Sequence, residues 1–332
     1  MTEDEPTLER VMQITTGGWA AGILAAGVIH SIFTHVENGT DTVEDMSSKA
    51  GISQRGAGAL LDGLVGLGFL TVSEGKYRNA PDASRFLVEG KPTYAGGFSK
   101  VQFADLPEWT AFPEVVRTGQ PALASTADVA ENPFWEELVP AILVLSIPVV
   151  HAAAGRMGIA QAGPISILDV GGGSGVYSAI WLGLNQEARS TQIDWGNVNR
   201  IARDFVARHG AANRFRTVDG DFHTADFGSS EHDICVYSHI AHQESPASNR
   251  AIFKKFRKAL KPGGTLLISD FVVENDRSGP PFPLLFRSEM LLRTRDGSSW
   301  RRADYEGWLK EAGFASVSFE PTPTPATLVY AS

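Results

Sequence analysis

Cysteine is nearly missing from these 332 residues: the one present, Cys235, excludes an intrachain disulfide and any paired-cysteine metal or redox motif. Such usage fits a reducing compartment. Positive charge is also scarce, with 29 Lys and Arg against 38 Asp and Glu, a net charge of −9. That balance disfavours nucleic acid or an acidic membrane as partner and leaves a cationic ligand welcome. Long apolar runs are lacking early in the chain. The stretch from Trp19 to Phe33 is Gly-broken, carries His30 and falls short of the roughly 20 apolar residues of a membrane span, so a buried helix is expected there. The opening MTEDEPTLER is acidic where a cleaved leader would be basic, which points to a cytoplasmic chain.

What is present is an ordinary globular composition, 43% hydrophobic and 20% charged, and enough length for about two domains at roughly 150 residues each. A Gly and Pro cluster from Gly158 to Pro164 marks a change of pattern from helical spacing to short β-rich runs. Before it, helices are expected at Thr7 to Gly18, Gly22 to Thr34, Val43 to Lys49 and Gln54 to Leu67, then a hairpin from Leu70 to Asn79 around Glu74-Gly75. That order is a winged helix-turn-helix, whose second helix would need basic or amide side chains to read DNA. In QRGAGALLDGLVGLGFL only Arg55 is cationic, so packing or dimerisation is the better reading. A mostly helical stretch follows from Val101 to Met157. Three segments result: a winged-helix-like domain over 1–100, a helical cover over 101–160, and a third over 161–332.

The third segment alternates strand and helix: strands at Ser166 to Gly171, Ser190 to Asp194, Phe215 to Asp221, His232 to Ile240 and Thr265 to Val273. Helices are expected from Gly175, at Val198 to His209, Ser248 to Leu260 and Ala303 to Ala312, and paired strands near Val317 and at Thr327 to Tyr330. Repeated βα units give an α/β fold with a mainly parallel sheet, which binds ligands at the carboxyl ends of its strands. The run Asp169-Val-Gly171-Gly172-Gly173-Ser174-Gly175 leaves the first of these strands and opens a helix, so backbone can approach a ligand closely. Val176 breaks the dinucleotide spacing counted from Gly171, and no Gly-Lys-Ser/Thr follows for a P-loop. The pattern suits S-adenosylmethionine, which has no phosphates. Asp194 ends the second strand, where a carboxylate can accept from ribose hydroxyls; Asp221 and Phe222 end the third, offering an acceptor and an apolar ring to an adenine.

With these residues the chain resembles the S-adenosylmethionine-dependent small-molecule O-methyltransferases of the caffeate and hydroxyindole type, including bacterial members from secondary metabolism. LDVGGGSG, Gly220-Asp221, LKPGG at Leu260 to Gly264 and WLKEAGF at Trp308 to Phe314 carry the resemblance over nearly the whole chain. It implies a Rossmann-like class I methyltransferase domain with a seven-stranded sheet and an N-terminal α-helical domain serving a homodimer. It also implies a cofactor site of Asp169, Gly171, Gly173, Gly175, Asp194, Asp221, Phe222 and Ser238, the last standing where many members carry Lys or Arg. S-adenosyl-L-homocysteine would be the product.

The resemblance makes His242 the base that deprotonates an acceptor hydroxyl, and imidazole chemistry agrees: a phenol of pKa near 10 needs a base of pKa roughly 6.5 to react at neutral pH. Members often read His-Asp-Trp where this chain has His242-Gln243-Glu244. The first helper acid of the plant enzymes matches Asp270 and the second matches Ser299, with Glu289 an alternative source of help. His239, His242 and Glu244 can alternatively be read as metal ligands, giving methylation at carbon; the preferred reading has no metal. Phe103, Trp135, Phe286, Glu289 and Met290 are the candidates around a small aromatic acceptor. Two other functions stay open: a non-methylating enzyme on the same scaffold, and a winged-helix regulator that senses S-adenosylmethionine.

Overall fold

The structure is a computed structural model and describes residues 7–121 and 129–332. The chain divides after Trp109 into two units. The first contains α1 (Glu9–Thr15), α2 (Gly17–Ile29), α3 (Ile32–Glu37), α4 (Val43–Ala50), α5 (Gln54–Gly66), β1 (Leu70–Ser73), β2 (Lys76–Asn79), α6 (Pro81–Phe86) and α7 (Gly96–Asp105). Thr42 and Ser53 cap α4 and α5, their side chains accepting from the backbone N–H groups of Asp45 and Gly56. The antiparallel β1–β2 hairpin turns at Glu74 and Gly75, both at positive φ (52° and 73°), as a tight two-residue turn requires. Val28, Ile32, Phe33, Met46, Leu61 and Leu64 form its core.

Two expectations fail here. The helix foreseen from Gly22 to Thr34 is two helices, because Ser31 takes a left-handed conformation (φ 51°) that redirects the chain and turns Ile32 and Phe33 inward. Neither Gly nor Pro marks that break. Nor is the segment from Trp19 to Phe33 a buried helix: Trp19 is 72% exposed, and Leu8, Val11, Met12, Ile14 and Ile29 are exposed with it. Phe103 on α7 belongs to this unit too; it is exposed and lies so near α2 that a Cβ on Gly22 would meet its ring at 3.3 Å.

The second unit holds α8 (Phe112–Thr118), α9 (Phe134–Met157), β3 (Ser166–Val170), α10 (Val176–Leu184), β4 (Arg189–Asp194), α11 (Gly196–Arg208), β5 (Phe215–Asp219) and β6 (His232–Ser238). It continues through α12 (Pro246–Ala259), β7 (Leu260–Asp270), α13 (Pro281–Arg293), α14 (Arg302–Glu311), β8 (Val317–Pro321) and β9 (Thr327–Ala331). The seven strands lie in the order β5-β4-β3-β6-β7-β9-β8. The first five are parallel, and β9 runs antiparallel to β7 and β8. The expected mainly parallel seven-stranded sheet is therefore the observed one. Alternate residues feed opposite faces: Ile167 and Val236 pack with α9, α10 and α11, while Leu168 and Cys235 pack with α12 and α14. Burial pushes the Cys235 thiol well up, leaving it inert.

One helix and the strand that follows it differ at their ends. The helix expected to reach Leu260 stops at Ala259, and β7 begins at once at Leu260, with the LKPGG run forming an irregular start opposite His232 and Ile234. Helix α9 is long and apolar enough to cross a membrane by length and composition alone. Its Val149, Val150, Ala153 and Ala154 are instead core residues of the sheet's covering layer, and the Trp181 indole N–H donates to the Val150 carbonyl at 3.1 Å.

The order reverses at β3: chain that leaves β3 goes to β4 on one side, while β6 pairs on the other. Ligand crevices in open α/β sheets form outside the carboxyl ends at such a point.

Candidate active site

The glycine loop leaves β3 through three residues at positive φ, Gly171 (66°), Gly173 (56°) and Gly175 (72°). At Gly171 glycine is required twice over, since a Cβ there would also meet the Ile240 side chain at 2.6 Å. Gly173 N–H donates to Asp194 Oδ2 at 2.9 Å and Trp195 N–H to Oδ1 at 2.7 Å, so the loop and the end of β4 are one unit. Burial pushes the Asp194 carboxyl up to about 6, against the lowering effect of those two bonds. Asp169 is fully buried, and neither of its oxygens has a hydrogen-bond partner among the described residues. Burial, then the neighbouring Asp194, raises it to about 8. Two such carboxyls suit a cationic ligand, which would restore their ionised forms.

Beyond β5, Gly220 (φ 143°) turns the chain so that Asp221 and Phe222 sit in the following turn, not in the strand as expected. Asp221 Oδ1 accepts from the His223 backbone N–H at 2.8 Å and faces its ring Nδ1 at 2.6 Å. The first turn of α9 lies over the glycine loop: Val139 is 3.8 Å from where a Gly173 Cβ would be, and Glu136 accepts from Asn197 at the start of α11 at 3.2 Å. Trp135 is one turn earlier on the same helix, with its indole nitrogen buried and unpartnered among the described residues.

After β6 the chain turns sharply at His239, held at φ 57°. Its N–H donates to Ser269 O at 2.7 Å, which keeps this loop against the end of β7. Asp270, the last residue of β7, then grips the loop: Oδ2 accepts from His242 N–H at 3.0 Å and Oδ1 faces His242 Nδ1 at 2.7 Å. Phe271 N–H donates to Oδ1 at 2.8 Å and the Tyr305 hydroxyl to Oδ2 at 3.1 Å. Burial pushes the Asp270 carboxyl up, but His242, His239 and the Phe271 N–H together outweigh it and the net shift is downward. A carboxylate accepts only, so Nδ1 carries the hydrogen and Nε2 keeps a free lone pair.

His239, His242 and Asp270 offer ligand atoms all within 4.8 Å of one another, a grouping that can hold a metal. Both Asp270 oxygens already take two bonds each, and a metal would have to displace them. Glu244, expected as the third ligand, is not in the group. Its Oε2 faces His223 Nε2 at 2.9 Å and accepts from the Ser248 hydroxyl. Burial lowers His239 to about 4, with His242 adding to the effect, so its imidazole is neutral at physiological pH.

The Phe286 ring on α13 meets His242 edge-on at 4.9 Å and Phe271 at 4.6 Å, and Met290 is buried one turn on. This brings Phe286, one of the five acceptor candidates, to His242. Glu289 is ion-paired with Arg293 one turn along the same helix. Ser299, at the position of the second helper acid, is buried with its hydroxyl unpartnered among the described residues. It is near His242, since Ser298 N–H donates to His242 O at 2.8 Å. Ser238 ends β6 opposite Ser269.

Residues 159–315 match the family model of an O-methyltransferase domain. Over 316 residues the chain is 31% identical to 3-hydroxy-5-methyl-1-naphthoate 3-O-methyltransferase of Streptomyces sahachiroi, a match spanning 94% of this chain and 90% of that protein. The chain belongs to the O-methyltransferase family. The enzyme is also 28% identical over 324 residues to the tetracenomycin polyketide synthesis 8-O-methyl transferase TcmO of Streptomyces glaucescens, covering 96% of this chain and 94% of that one. Its fold matches human N-acetylserotonin methyltransferase, solved in complex with S-adenosylmethionine, with a TM-score of 0.82, 21% identity and coverage of 100% and 99% of the two chains. The family is S-adenosylmethionine-dependent.

Three residues of the enzyme's site escape a reading of the sequence. Phe271 directly follows Asp270 and was reachable from the rule that strand ends carry function. Tyr305 is an apolar-face residue of α14 by spacing, and only the packing of that helix brings its hydroxyl to Asp270. His223 carried no motif at all.

Proposed function

We propose that the enzyme methylates a phenolic hydroxyl of a small aromatic natural product, with His242 as general base and Asp270 as the residue that orients it. The observation carrying this reading is the double hold of Asp270 on His242, which leaves Nε2 as the one basic atom, walled by Phe286 and Phe271. S-adenosylmethionine, when bound, supplies an electrophilic methyl carbon on a sulfonium. Asp169, Gly171, Gly173, Gly175, Asp194, Asp221, Phe222 and Ser238 would hold it, and the unpartnered buried carboxyl of Asp169 fits its cationic groups.

Nε2 takes the proton of the acceptor hydroxyl, and the Asp270 carboxylate stabilises the imidazolium that results; the methyl group that the cofactor would supply would pass to that oxygen as its C–S bond breaks, leaving S-adenosylhomocysteine. Deprotonation by a positioned base contributes typically about 10²- to 10⁴-fold. The relatives' acceptors, a hydroxynaphthoate and a tetracenomycin precursor by their names, support a flat aromatic acceptor. The apolar residues left exposed on α1 and α2 support a homodimer formed through the first unit. A second reading, methylation at carbon or a non-methylating step, is favoured by Ser299, which cannot act as an acid where the resemblance has one. Binding of labelled S-adenosylmethionine followed by a phenol panel with wild type and His242→Ala separates the readings. Retained methylation in the variant removes His242 as base, and failure to bind the cofactor removes the whole reading.

A further inference from the structure

His223 lies between two carboxylates that belong to different parts of the site. Its Nδ1 faces Asp221 Oδ1 at 2.6 Å and its Nε2 faces Glu244 Oε2 at 2.9 Å. Asp221 is in the turn after β5; Glu244 is two residues past His242 and immediately precedes Ser245, the residue capping α12. Carboxylates only accept, so both contacts are hydrogen bonds only when both ring nitrogens carry hydrogens. The Glu244 and Asp221 contacts accordingly raise His223 to about 9 against the opposing effect of burial. The turn is fastened a second time: Lys255 on α12 donates to Phe222 O at 2.6 Å and to His223 O at 3.0 Å. The His223 ring also rests on the Phe222 ring, with centroids 4.4 Å apart.

The consequence is geometric. With Oδ1 of Asp221 occupied by the His223 N–H and ring, Oδ2 has no hydrogen-bond partner among the described residues and is the oxygen left to accept from a ligand. We propose that His223 is a positioning residue that presents Asp221 to the adenine of the cofactor and ties that carboxylate, through Glu244, to the loop bearing His242. This rests on the cofactor placement proposed above. The charged groups facing His223 are Asp221 on its own turn, Glu244 before α12 and Lys255 on α12, with Asp226 also acting on Lys255. A neutral imidazole has one N–H, so deprotonation releases either the adenine side or the His242 side of the clasp.

The test is the affinity for S-adenosylhomocysteine, measured by calorimetry at pH 7.5 and pH 10 for wild type, His223→Phe, Glu244→Gln and the double variant. Comparing proteins at one pH cancels the titration of the ligand's own amino group. At pH 7.5 His223→Phe is expected to bind about tenfold more weakly, the size of a lost charge-assisted bond. At pH 10 that difference shrinks, because wild type has then lost one of the two bonds of the clasp. The double variant matches His223→Phe alone, as members of one linked unit do. Hydrogen exchange over residues 239–245 is slowed by the ligand in wild type and not in His223→Phe. Equal affinity of wild type and His223→Phe at pH 7.5, or a loss of equal size at both pH values, overturns the proposal. If His223→Phe does not fold, Glu244→Gln decides, since it must weaken binding at pH 7.5 for the clasp to stand. Absence of binding to wild type overturns the cofactor placement itself, a different outcome from binding that ignores His223.

Discussion

Asp270 holds His242 by two atoms at once, its ring through Oδ1 at 2.7 Å and its backbone through Oδ2 at 3.0 Å. One carboxylate therefore sets both the path of the loop and the tautomer of His242. The bond from Tyr305 keeps that carboxylate from rotating. Asp270→Asn is expected to lower kcat by about 10²-fold or more with little change in cofactor affinity, because an amide can present N–H to Nδ1 and stabilise the wrong tautomer. Steady-state kinetics with separate cofactor binding checks this, and an unchanged kcat would remove Asp270 from the mechanism.

His242→Ala should lose roughly 10²- to 10⁴-fold in kcat while S-adenosylhomocysteine binds as in wild type. A more acidic phenol, already ionised at the assay pH, should recover much of the lost rate. No such recovery means the residue does something other than remove a proton.

Phe286→Ala opens the wall beside His242 and is expected to lower kcat/KM for an aromatic acceptor about tenfold or more, from the lost apolar contact. Cofactor KM should hold. Were both constants to move together, Phe286 would be supporting the fold and not the acceptor.

Because every lone pair facing inward from Asp270 is engaged, activity should survive exhaustive treatment with a chelator. Loss of activity on chelation, restored by a divalent cation, would transfer the site to the metal reading of His239, His242 and Asp270.

In the first unit, Glu37 accepts from Lys91, Ser84 and Asn79, and these bonds, led by Lys91, bring it down to about 2 from 4.5. A depressed carboxyl stabilises the fold above its unfolded pKa and loses that contribution as pH falls through the folded value. The thermal stability of wild type should thus exceed that of Glu37→Gln at pH 7 and converge with it between about pH 4.5 and pH 2. The gap should be small, about 1 kcal/mol or less, since the pair is solvent-screened. A gap that persists at pH 2 would mean the glutamate acts by shape alone.

Much of this site is legible from residues alone because its parts sit at strand ends. The strand-turn-helix around Gly171 to Gly175 is local, and Asp194, His242 and Asp270 all follow from where β4, β6 and β7 stop. What stays hidden depends on direction after the strand. Glu244 was grouped with His239 and His242 by closeness in sequence, yet the Ser245 cap swings it to His223. The break at Ser31 hides for a related reason: a serine at positive φ leaves no compositional mark, and burial of Ile32 and Phe33 decides it.

The close fit of Gly171 against Ile240 has a consequence for how the enzyme could change. These residues lead out of β3 and β6, neighbouring strands of one parallel sheet, so the span between the glycine loop and the His242 loop is set by strand spacing of about 4.8 Å. A gauge built this way cannot drift when acceptor-binding helices such as α13 are remodelled. On the proposed placement of cofactor and base, new acceptors can be accommodated by redrawing the walls while the spacing of the two loops is inherited unchanged.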